Sequence, residues 1–233
     1  MNEQNSSTDA ALQEAAAATR ERASLLLDAD HGVRKAHAPQ WDRLRRTLAL
    51  LPDREGSLLD VGVGEGSWLQ LLARERPGLR LAALDLSRER LKDLNVRHAD
   101  GSEVGKHFGD VTAMPLADAS VDVVSLLEVI EHVPDWRAAM REALRVARRR
   151  VLITVPYREQ LMDTVCVHCH RPTPLWGHLH SFHQASFDEF VPRERQTQVL
   201  IPEPVDRSAG MLRWIYRTLR PRPNWMAVRI DLA

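Results

Sequence analysis

The sequence predicts an α/β fold, in which a mostly parallel sheet is covered by helices on both faces. Three observations predict it. Between residues 57 and 155, short apolar runs alternate with stretches of helical periodicity, the order typical of repeated strand-helix-strand units. The run from Val121 to Leu127 is almost continuously apolar, as in a central strand buried on both sides. The chain of 233 residues is 44% apolar, which suffices for a substantial core.

The elements follow one another in a simple order. Two helices are predicted ahead of the sheet, at 9–27 and at 38–51, and Pro52 ends the second. Seven strands are predicted at 57–61, 79–84, 106–108, 121–127, 151–155, 196–201 and 225–232. Helices are predicted among them at 67–76, from the Ser87 cap onward, and at 136–147, 186–190 and 209–219. We therefore divide the chain into an N-terminal helical cap, residues 1–52, and a domain of residues 53–233, in which residues 165–184 are a candidate metal-stapled insert.

Charge and composition narrow the class of protein. The chain has 32 basic and 32 acidic residues, so no net field attracts it to nucleic acid or to an anionic membrane. The first residues lack the basic and apolar regions of a signal peptide, and no stretch approaches the ~20 apolar residues that span a bilayer. The expectation is a cytoplasmic protein without a membrane partner.

The glycine run after the first predicted strand is the strongest functional motif. Asp60 in the strand is followed by Gly62, Gly64 and Gly66, and a helical pattern starts at Ser67. Glycines let the backbone turn sharply and let a ligand approach the N–H groups at the start of the helix. A dinucleotide fingerprint that begins at Gly62 needs Gly or Ala where this chain has Ser67. The motif therefore favours a nucleoside cofactor other than a dinucleotide.

Two further acids follow predicted strands. Asp85 closes the second strand, where a carboxylate can accept hydrogen bonds from ribose hydroxyls. Asp110 follows the third strand, where the edge of an adenine would lie. Because the ends of parallel strands share one edge of the sheet, these acids and the glycine loop indicate a single nucleoside site.

This combination resembles the class I S-adenosylmethionine (SAM)-dependent methyltransferases. The resemblance covers about Ser57 to Tyr157. It implies a Rossmann-like sheet of seven strands whose last strand is antiparallel. It also implies that the glycine loop holds the methionine part of SAM, that Asp85 binds the ribose and that Asp110 binds the adenine. The implied cofactor contacts are Asp60, Gly62, Gly64, Gly66, Asp85, Leu86, Asp110, Val111 and Glu128.

The segment after the fourth strand contains the candidate catalytic residues Glu128, Glu131 and His132. On a helix, residues three and four apart share one face, and a base or a metal ion there would assist a hydroxyl nucleophile. The spacing is similar to that of small-RNA 3′-end ribose 2′-O-methyltransferases and ubiquinone-pathway O-methyltransferases, in which a later histidine completes a divalent-metal site. That resemblance implies Mg²⁺ here, with His180 as the later ligand. In the alternative interpretation, His132 shapes the pocket or acts as a base without a metal.

The segment 157–184 lacks a regular period and is rich in cysteine and histidine. It contains both cysteines, as Cys166-x-x-Cys169, and five of the ten histidines. Two thiolates and the imidazoles of His178 and His180 would form a tetrahedral Zn²⁺ site that staples the segment. The alternative is a pair of reduced thiols with solvent-facing histidines. Both metal hypotheses use His180, so in this form they exclude each other.

These residues together predict a SAM-dependent methyltransferase that methylates a hydroxyl group of a small molecule or a glycan. Two alternatives stay open. One is a non-catalytic protein that keeps the SAM-binding fold and uses the Cys/His segment for partners. The other is an RNA 3′-end ribose 2′-O-methyltransferase, which the balanced charge disfavours.

Overall fold

The computed structural model describes residues 38–53, 56–166, 170–202 and 223–232. Four α-helices lie in these ranges: α1 Ala38–Leu48, α2 Ser67–Glu75, α3 Arg88–Asp93 and α4 Trp136–Val146. Short 3₁₀ turns lie at Ile130–His132, Leu175–Gly177 and Arg193–Arg195. The strands are β1 Ser57–Val61, β2 Arg80–Asp85, β3 Gly105–Phe108, β4 Val121–Leu127, β5 Ala147–Pro156, β6 Asp163–Val165, β7 Pro172–Pro174, β8 Gln196–Pro202 and β9 Pro223–Asp231. The helices predicted at 9–27 and 209–219 lie outside the described residues.

Seven of these strands form one sheet in the order β3-β2-β1-β4-β5-β9-β8. The strands β1 to β5 pair in parallel, and β9 enters between β5 and β8 and is antiparallel to both. The predicted fold class is thereby confirmed. The strands β2 and β3 lie on one side of β1, and the chain then crosses to β4 on the other side. The carboxyl ends of β1 and β4 therefore border the crevice in which such sheets bind ligands.

Apolar side chains cover both faces of the sheet. Along β4, Val124 and Leu126 belong to the cluster that packs under α4, and Val123 belongs to the cluster that contains Leu44 of α1 and Leu69 of α2. This alternation explains the continuous apolar run, because each face of the strand needs its own apolar residues. None of the described helices is long and apolar enough to cross a bilayer.

Most of the predicted elements that lie in the described ranges shift by one to three residues at their ends, and two of them differ more. The strand β5 is longer than predicted, because residues 147–150 pair with β4 beyond an irregularity between Val121 and Val123. The helix predicted at 186–190 is wrong, since these residues form turns. Phe187 is fully buried there, stacked on Phe182 at 5.9 Å and edge-on to Trp136 at 6.2 Å. Packing of these rings fixes the chain in a turn instead of a helix.

The segment 157–184 contains a small antiparallel hairpin of β6 and β7 and then the turn Leu175–Gly177. Its two ends meet beside β5, where Arg158 N–H donates to the Phe182 carbonyl at 2.8 Å. In between, Leu179 N–H donates to the Glu131 carbonyl at 2.7 Å. The segment is therefore attached to the residues that follow β4.

Candidate active site

The loop between β1 and α2 turns sharply at three glycines. Gly62, Gly64 and Gly66 have φ values of 71°, 53° and 75°, in the left-handed region that favours glycine. A Cβ on Gly62 would lie 2.6 Å from the Val129 side chain, whereas a Cβ on Gly64 would meet no described atom within 4 Å. The loop is packed against the segment after β4 on one side and open at Gly64, where a ligand can approach its N–H groups.

Asp60 lies in β1 and is 3% exposed. The Ser125 hydroxyl of β4 donates to its Oδ1 at 2.8 Å, and the Trp68 indole N–H donates to that hydroxyl at 3.2 Å. Burial raises the pKa of Asp60 to about 7, the hydrogen bond from Ser125 opposes the rise, and the charge of Asp85 adds to it. A cationic group bound beside Asp60 would favour the ionised carboxylate.

Asp85 is the last residue of β2 and is also buried. Its Oδ1 accepts a hydrogen bond from Ser87 N–H at 2.8 Å, and its Oδ2 accepts one from Gly64 N–H at 3.4 Å. Asp110 follows β3, and its Oδ1 accepts hydrogen bonds from the N–H and the hydroxyl of Thr112, both at 2.8 Å. Three adjacent strands thus present acids at one edge of the sheet, next to the glycine loop.

Leu86 and Val111 directly follow two of these acids, and each is partly buried. Val111 packs against the apolar cluster under α4. The carboxyl ends of these strands therefore present both acidic and apolar side chains. That combination suits a nucleoside, which has polar edges and apolar ring faces.

Glu128 follows β4 in the left-handed region, with φ 58°. Its carboxylate is bound by three elements far away in sequence. The Arg43 guanidinium of α1 lies at 2.6 Å, the Trp225 indole N–H of β9 donates at 3.0 Å, and the Thr154 hydroxyl of β5 donates at 3.1 Å. Glu128 therefore joins α1 to the sheet beside the crevice.

Glu131 is completely buried, and neither of its carboxylate oxygens has a hydrogen-bond partner among the described residues. Burial raises the pKa of Glu131 well above its ordinary range, and the negative charge of Glu128 raises it further. A buried carboxylate without a hydrogen-bond partner lowers the stability of the folded protein. A buried carboxylate with a raised pKa beside other titratable side chains is a candidate functional group.

Two histidines adjoin this carboxylate. The Nδ1 atom of His132 lies 3.2 Å from the Gly177 carbonyl, and the ring of His178 lies 4.8 Å from the ring of His132. A donor atom from each of Glu131, His132 and His178 lies within 4.8 Å of the other two. We call these three residues the Glu131–His132–His178 cluster. Two nitrogen or oxygen ligands of a tetrahedral ion are roughly 3.3–3.5 Å apart, so side-chain movements of about 1.5 Å would bring the three donors onto one ion.

The cluster contains His178, whereas the sequence analysis expected His180 beside Glu131 and His132. His180 Nε2 lies 3.0 Å from the Val133 carbonyl, whereas His178 adjoins Glu131 and His132. The turn before His178 causes the difference, because Trp176 and Gly177 both adopt left-handed conformations, with φ values of 60° and 74°.

The predicted zinc ligands are not brought together among the described residues. Cys166 lies at the tip of the β6–β7 hairpin, where its N–H donates to the Arg171 carbonyl at 3.0 Å, and Cys169 lies outside the described ranges. His178 adjoins Glu131 and His132, and His180 contacts the Val133 carbonyl. Within the described part of the chain, Cys166 belongs to no group of three metal-ligating side chains.

Two residues at the site have no counterpart among the predictions. Arg43 carries the ion pair to Glu128, and the Glu159 carboxylate is hydrogen-bonded to His178 Nδ1. Arg43 lies on a predicted helix and Glu159 in an aperiodic segment. Neither position carries a local pattern, so only the fold reveals these contacts.

A seven-stranded sheet of this order, with a glycine loop after β1 and acids at the ends of the next two strands, defines the class I, Rossmann-like SAM-dependent methyltransferases. Residues 59–155 match the family described as "Methyltransferase domain". This part of the chain therefore matches a methyltransferase domain, and the described sheet has the strand order of the class I SAM-dependent methyltransferases.

Several relatives that are named as methyltransferases are similar over this region. The chain is 35% identical over 107 residues to malonyl-[acyl-carrier protein] O-methyltransferase of Xylella fastidiosa, a match that covers 44% of this chain and 36% of that protein. It is 31% identical over 111 residues to demethylmenaquinone methyltransferase of Thermotoga maritima, covering 48% and 47%. It is 34% identical over 107 residues to 27-O-demethylrifamycin SV methyltransferase of Amycolatopsis mediterranei, covering 44% and 39%. The matches thus span half or less of each of these relatives.

Solved structures agree on the fold. A chain from the complex that contains the Haloferax volcanii Trm112 methyltransferase activator superposes with a TM-score of 0.62 at 20% identity, covering 82% of this chain and 89% of that one. A SAM-dependent methyltransferase from Mesorhizobium loti superposes with a TM-score of 0.56 at 17% identity, covering 83% and 98%.

Proposed function

We propose that this protein transfers the methyl group of SAM to a hydroxyl group of a small molecule or a sugar. The observation that carries the proposal is the placement of the Glu131–His132–His178 cluster. Two of its members, Glu131 and His132, follow β4, the strand beside β1, and β1 leads into the glycine loop from Asp60. A methyl donor bound at the glycine loop would therefore have a basic cluster next to it.

The chemistry explains why such a cluster is useful. The sulfonium leaving group becomes neutral as the methyl group departs, so the cofactor supplies the driving force and the protein mainly aligns the acceptor. A neutral hydroxyl is a weak nucleophile, and it reacts faster when a base takes its proton. His132 is exposed, and we assign it as the base or as one ligand of an ion that lowers the pKa of the hydroxyl.

The residues present fit a divalent cation. The buried oxygens of Glu131 lack partners among the described residues, and two imidazoles adjoin them. Glu131, His132 and His178 would hold the ion, which would supply Lewis-acid activation of the acceptor hydroxyl. Because two of the three donors are imidazole nitrogens, the set favours Zn²⁺, Mn²⁺ or Fe²⁺ over Mg²⁺.

Removing metal distinguishes the two roles of His132. We expect protein treated with a chelator and then desalted to lose methyl transfer by at least ~10-fold and to regain it with Zn²⁺ or Mn²⁺. The measurement is transfer of a radiolabelled methyl group from SAM, with S-adenosylhomocysteine (SAH) affinity as the control for folding. Full activity in metal-free protein would leave His132 as a base and would remove the cation from the proposal.

Cofactor binding tests the proposed function itself. We expect SAM and SAH to bind in titration calorimetry, and SAM to methylate members of a panel of catechols, phenols, sugars and an RNA oligonucleotide with a free 3′-terminal ribose. If neither SAM nor SAH binds, the proposed enzymatic activity is refuted. The remaining interpretation is then a non-catalytic protein that has the fold. Methylation of the oligonucleotide alone would move the proposal to the RNA acceptor.

The pKa of Asp60 predicts how cofactor affinity depends on pH. Ligand-free Asp60 has a pKa of about 7, and the ammonium group of SAM or SAH would lower it by favouring the ionised form. Binding should therefore release a proton below about pH 7, and affinity should rise from about pH 6 to pH 8. Calorimetry in two buffers of different ionisation enthalpy measures the proton release. In Asp60→Asn we expect the proton release on cofactor binding to vanish. An unchanged proton release would assign it to a group other than Asp60.

A further inference from the structure

We propose that Glu159 is a positioning residue, which fixes the ring orientation and the tautomer of His178 in the Glu131–His132–His178 cluster. The inference rests on the proposed function only in that the cluster is taken as the acceptor side of the methyl-transfer site. Glu159 lies three residues beyond β5, and His178 lies on the far side of the β6–β7 hairpin. The pairing therefore depends on the folded segment and not on sequence proximity.

The backbone holds both members of the pair. Arg158, next to Glu159, has φ 50°, and its N–H donates to the Phe182 carbonyl at 2.8 Å. Leu179, next to His178, donates its N–H to the Glu131 carbonyl at 2.7 Å. The side chains of His178 and Glu159 are only 14% and 28% exposed. Water therefore competes weakly for their hydrogen bond, and the ring has little freedom to turn.

The chemistry of the pair determines which nitrogen of His178 is available. An ionised carboxylate only accepts hydrogen bonds, so Nδ1 of His178 must carry the proton that it donates to Glu159. In the neutral ring the lone pair is then on Nε2. His132 follows the same rule, because its Nδ1 lies 3.2 Å from the Gly177 carbonyl, which also only accepts. Both rings thus keep Nε2 as the nitrogen that can bind a proton or a cation.

Loss of Glu159 should release this constraint. Without the carboxylate, His178 can adopt either tautomer and either ring flip, and half of these states remove the Nε2 lone pair. Carboxylate partners of metal-binding histidines typically change metal affinity by about 10- to 100-fold. The substitution Glu159→Gln retains an amide oxygen that accepts from Nδ1–H and loses only the negative charge.

The test measures the His178 tautomer by ¹⁵N NMR of histidine-labelled protein at about pH 8, where free imidazole is neutral, and Co²⁺ affinity by its visible absorption. In wild-type protein we expect His178 with Nδ1 protonated and Nε2 unprotonated. In Glu159→Ala we expect a mixture of tautomers and a loss of Co²⁺ affinity of about 10- to 100-fold. In Glu159→Gln we expect the wild-type tautomer to be kept and most of the affinity to return. SAH affinity should stay unchanged in both variants.

The matched control is Glu189→Ala, which removes an exposed glutamate paired with Arg137 at 3.0 Å, outside the cluster. It should change neither readout. An unchanged His178 tautomer in Glu159→Ala, or equal losses in the Ala and Gln variants, would overturn the inference. A wild-type protein that binds SAH but no Co²⁺, with the tautomer still dependent on Glu159, supports positioning of His178 as a base. Absence of SAM and SAH binding is a separate result and refutes the proposed function.

Discussion

Replacing Asp85 with alanine is expected to weaken SAH binding by ~100-fold or more. The carboxylate of Asp85 is buried at the end of β2, and the hydroxyls of a ribose there would donate two charge-assisted hydrogen bonds to it. Such bonds contribute roughly 1.5–3 kcal/mol each, and about 1.4 kcal/mol corresponds to tenfold in affinity. The measurement is titration calorimetry with SAH, because binding of the product does not depend on knowing the acceptor.

The fold supplies a matched control for this effect. Asp53 precedes β1, at the opposite edge of the sheet from Asp85, and its exposed side chain pairs with Arg76 at 2.8 Å. Asp53→Ala should leave SAH affinity within about twofold of wild type, since exposed ion pairs contribute little. Asp85→Asn separates binding from folding, because its amide oxygen can still accept from Ser87 N–H, the bond now made at 2.8 Å. Wild-type affinity in Asp85→Ala would exclude this acid from the cofactor site.

The placement of the glycine loop and of the acids at the strand ends was predictable, because each of these features is encoded locally. A strand that ends in a glycine loop can be recognised from ten consecutive residues. An acid at the end of a strand can be identified once the strand itself has been predicted. The bounds predicted for β1 and β4 match the structure. Parallel order then brings the strand ends together without further information.

The arrangement of the candidate residues after β4 was not predictable, because it depends on contacts across the chain. The prediction for Glu128 assumed a helix, in which residues 128, 131 and 132 share a face. The structure has only a single 3₁₀ turn at Ile130–His132, and Glu128 lies before it with φ 58°. The helical spacing rule therefore does not apply, and Glu128 binds Arg43 and Trp225 instead.

The choice between His178 and His180 shows the same limit. The two residues flank Leu179, and no pattern in the segment distinguishes them. Their roles depend on the left-handed turn at Trp176 and Gly177 and on the hydrogen bond from Leu179 to Glu131. A bulky residue such as Trp176 at positive φ is rare, so its conformation cannot be read from propensity.

Replacing Glu131 with methionine is expected to stabilise the protein and to abolish its activity. The carboxylate is buried without a partner among the described residues, and an unsatisfied buried polar group costs about 1–3 kcal/mol. Methionine has a similar volume and needs no hydrogen bond. We expect the free energy of unfolding of the metal-free variant to exceed that of wild type by about this amount, and methyl transfer to fall by at least ~100-fold. Chemical denaturation and the radiolabel assay measure the two effects.

The pH dependence of this gain has a definite sign. The folded-state pKa of Glu131 lies above its unfolded value, so wild type loses stability as pH rises from the unfolded pKa through the folded one. The advantage of Glu131→Met should therefore be larger at about pH 8 than at about pH 5. Glu142→Met is the matched control, since the carboxylate of Glu142 accepts from Met114 N–H at 2.7 Å and from Arg145. Its loss should destabilise the protein.

A cation should reverse the order of stability. An ion that binds only the folded state stabilises it by about 2.7 kcal/mol at a free concentration of 100 times its Kd, and wild type alone retains Glu131 to hold it. With Zn²⁺ or Mn²⁺ added, wild type should become at least as stable as Glu131→Met, whereas the variant should respond weakly. If the variant is more stable with and without the ion, Glu131 has no cation partner, and its buried carboxylate then serves the acceptor or the fold directly. A stability cost that only a bound ion relieves would instead explain why the protein keeps an otherwise unpaired acid at this position.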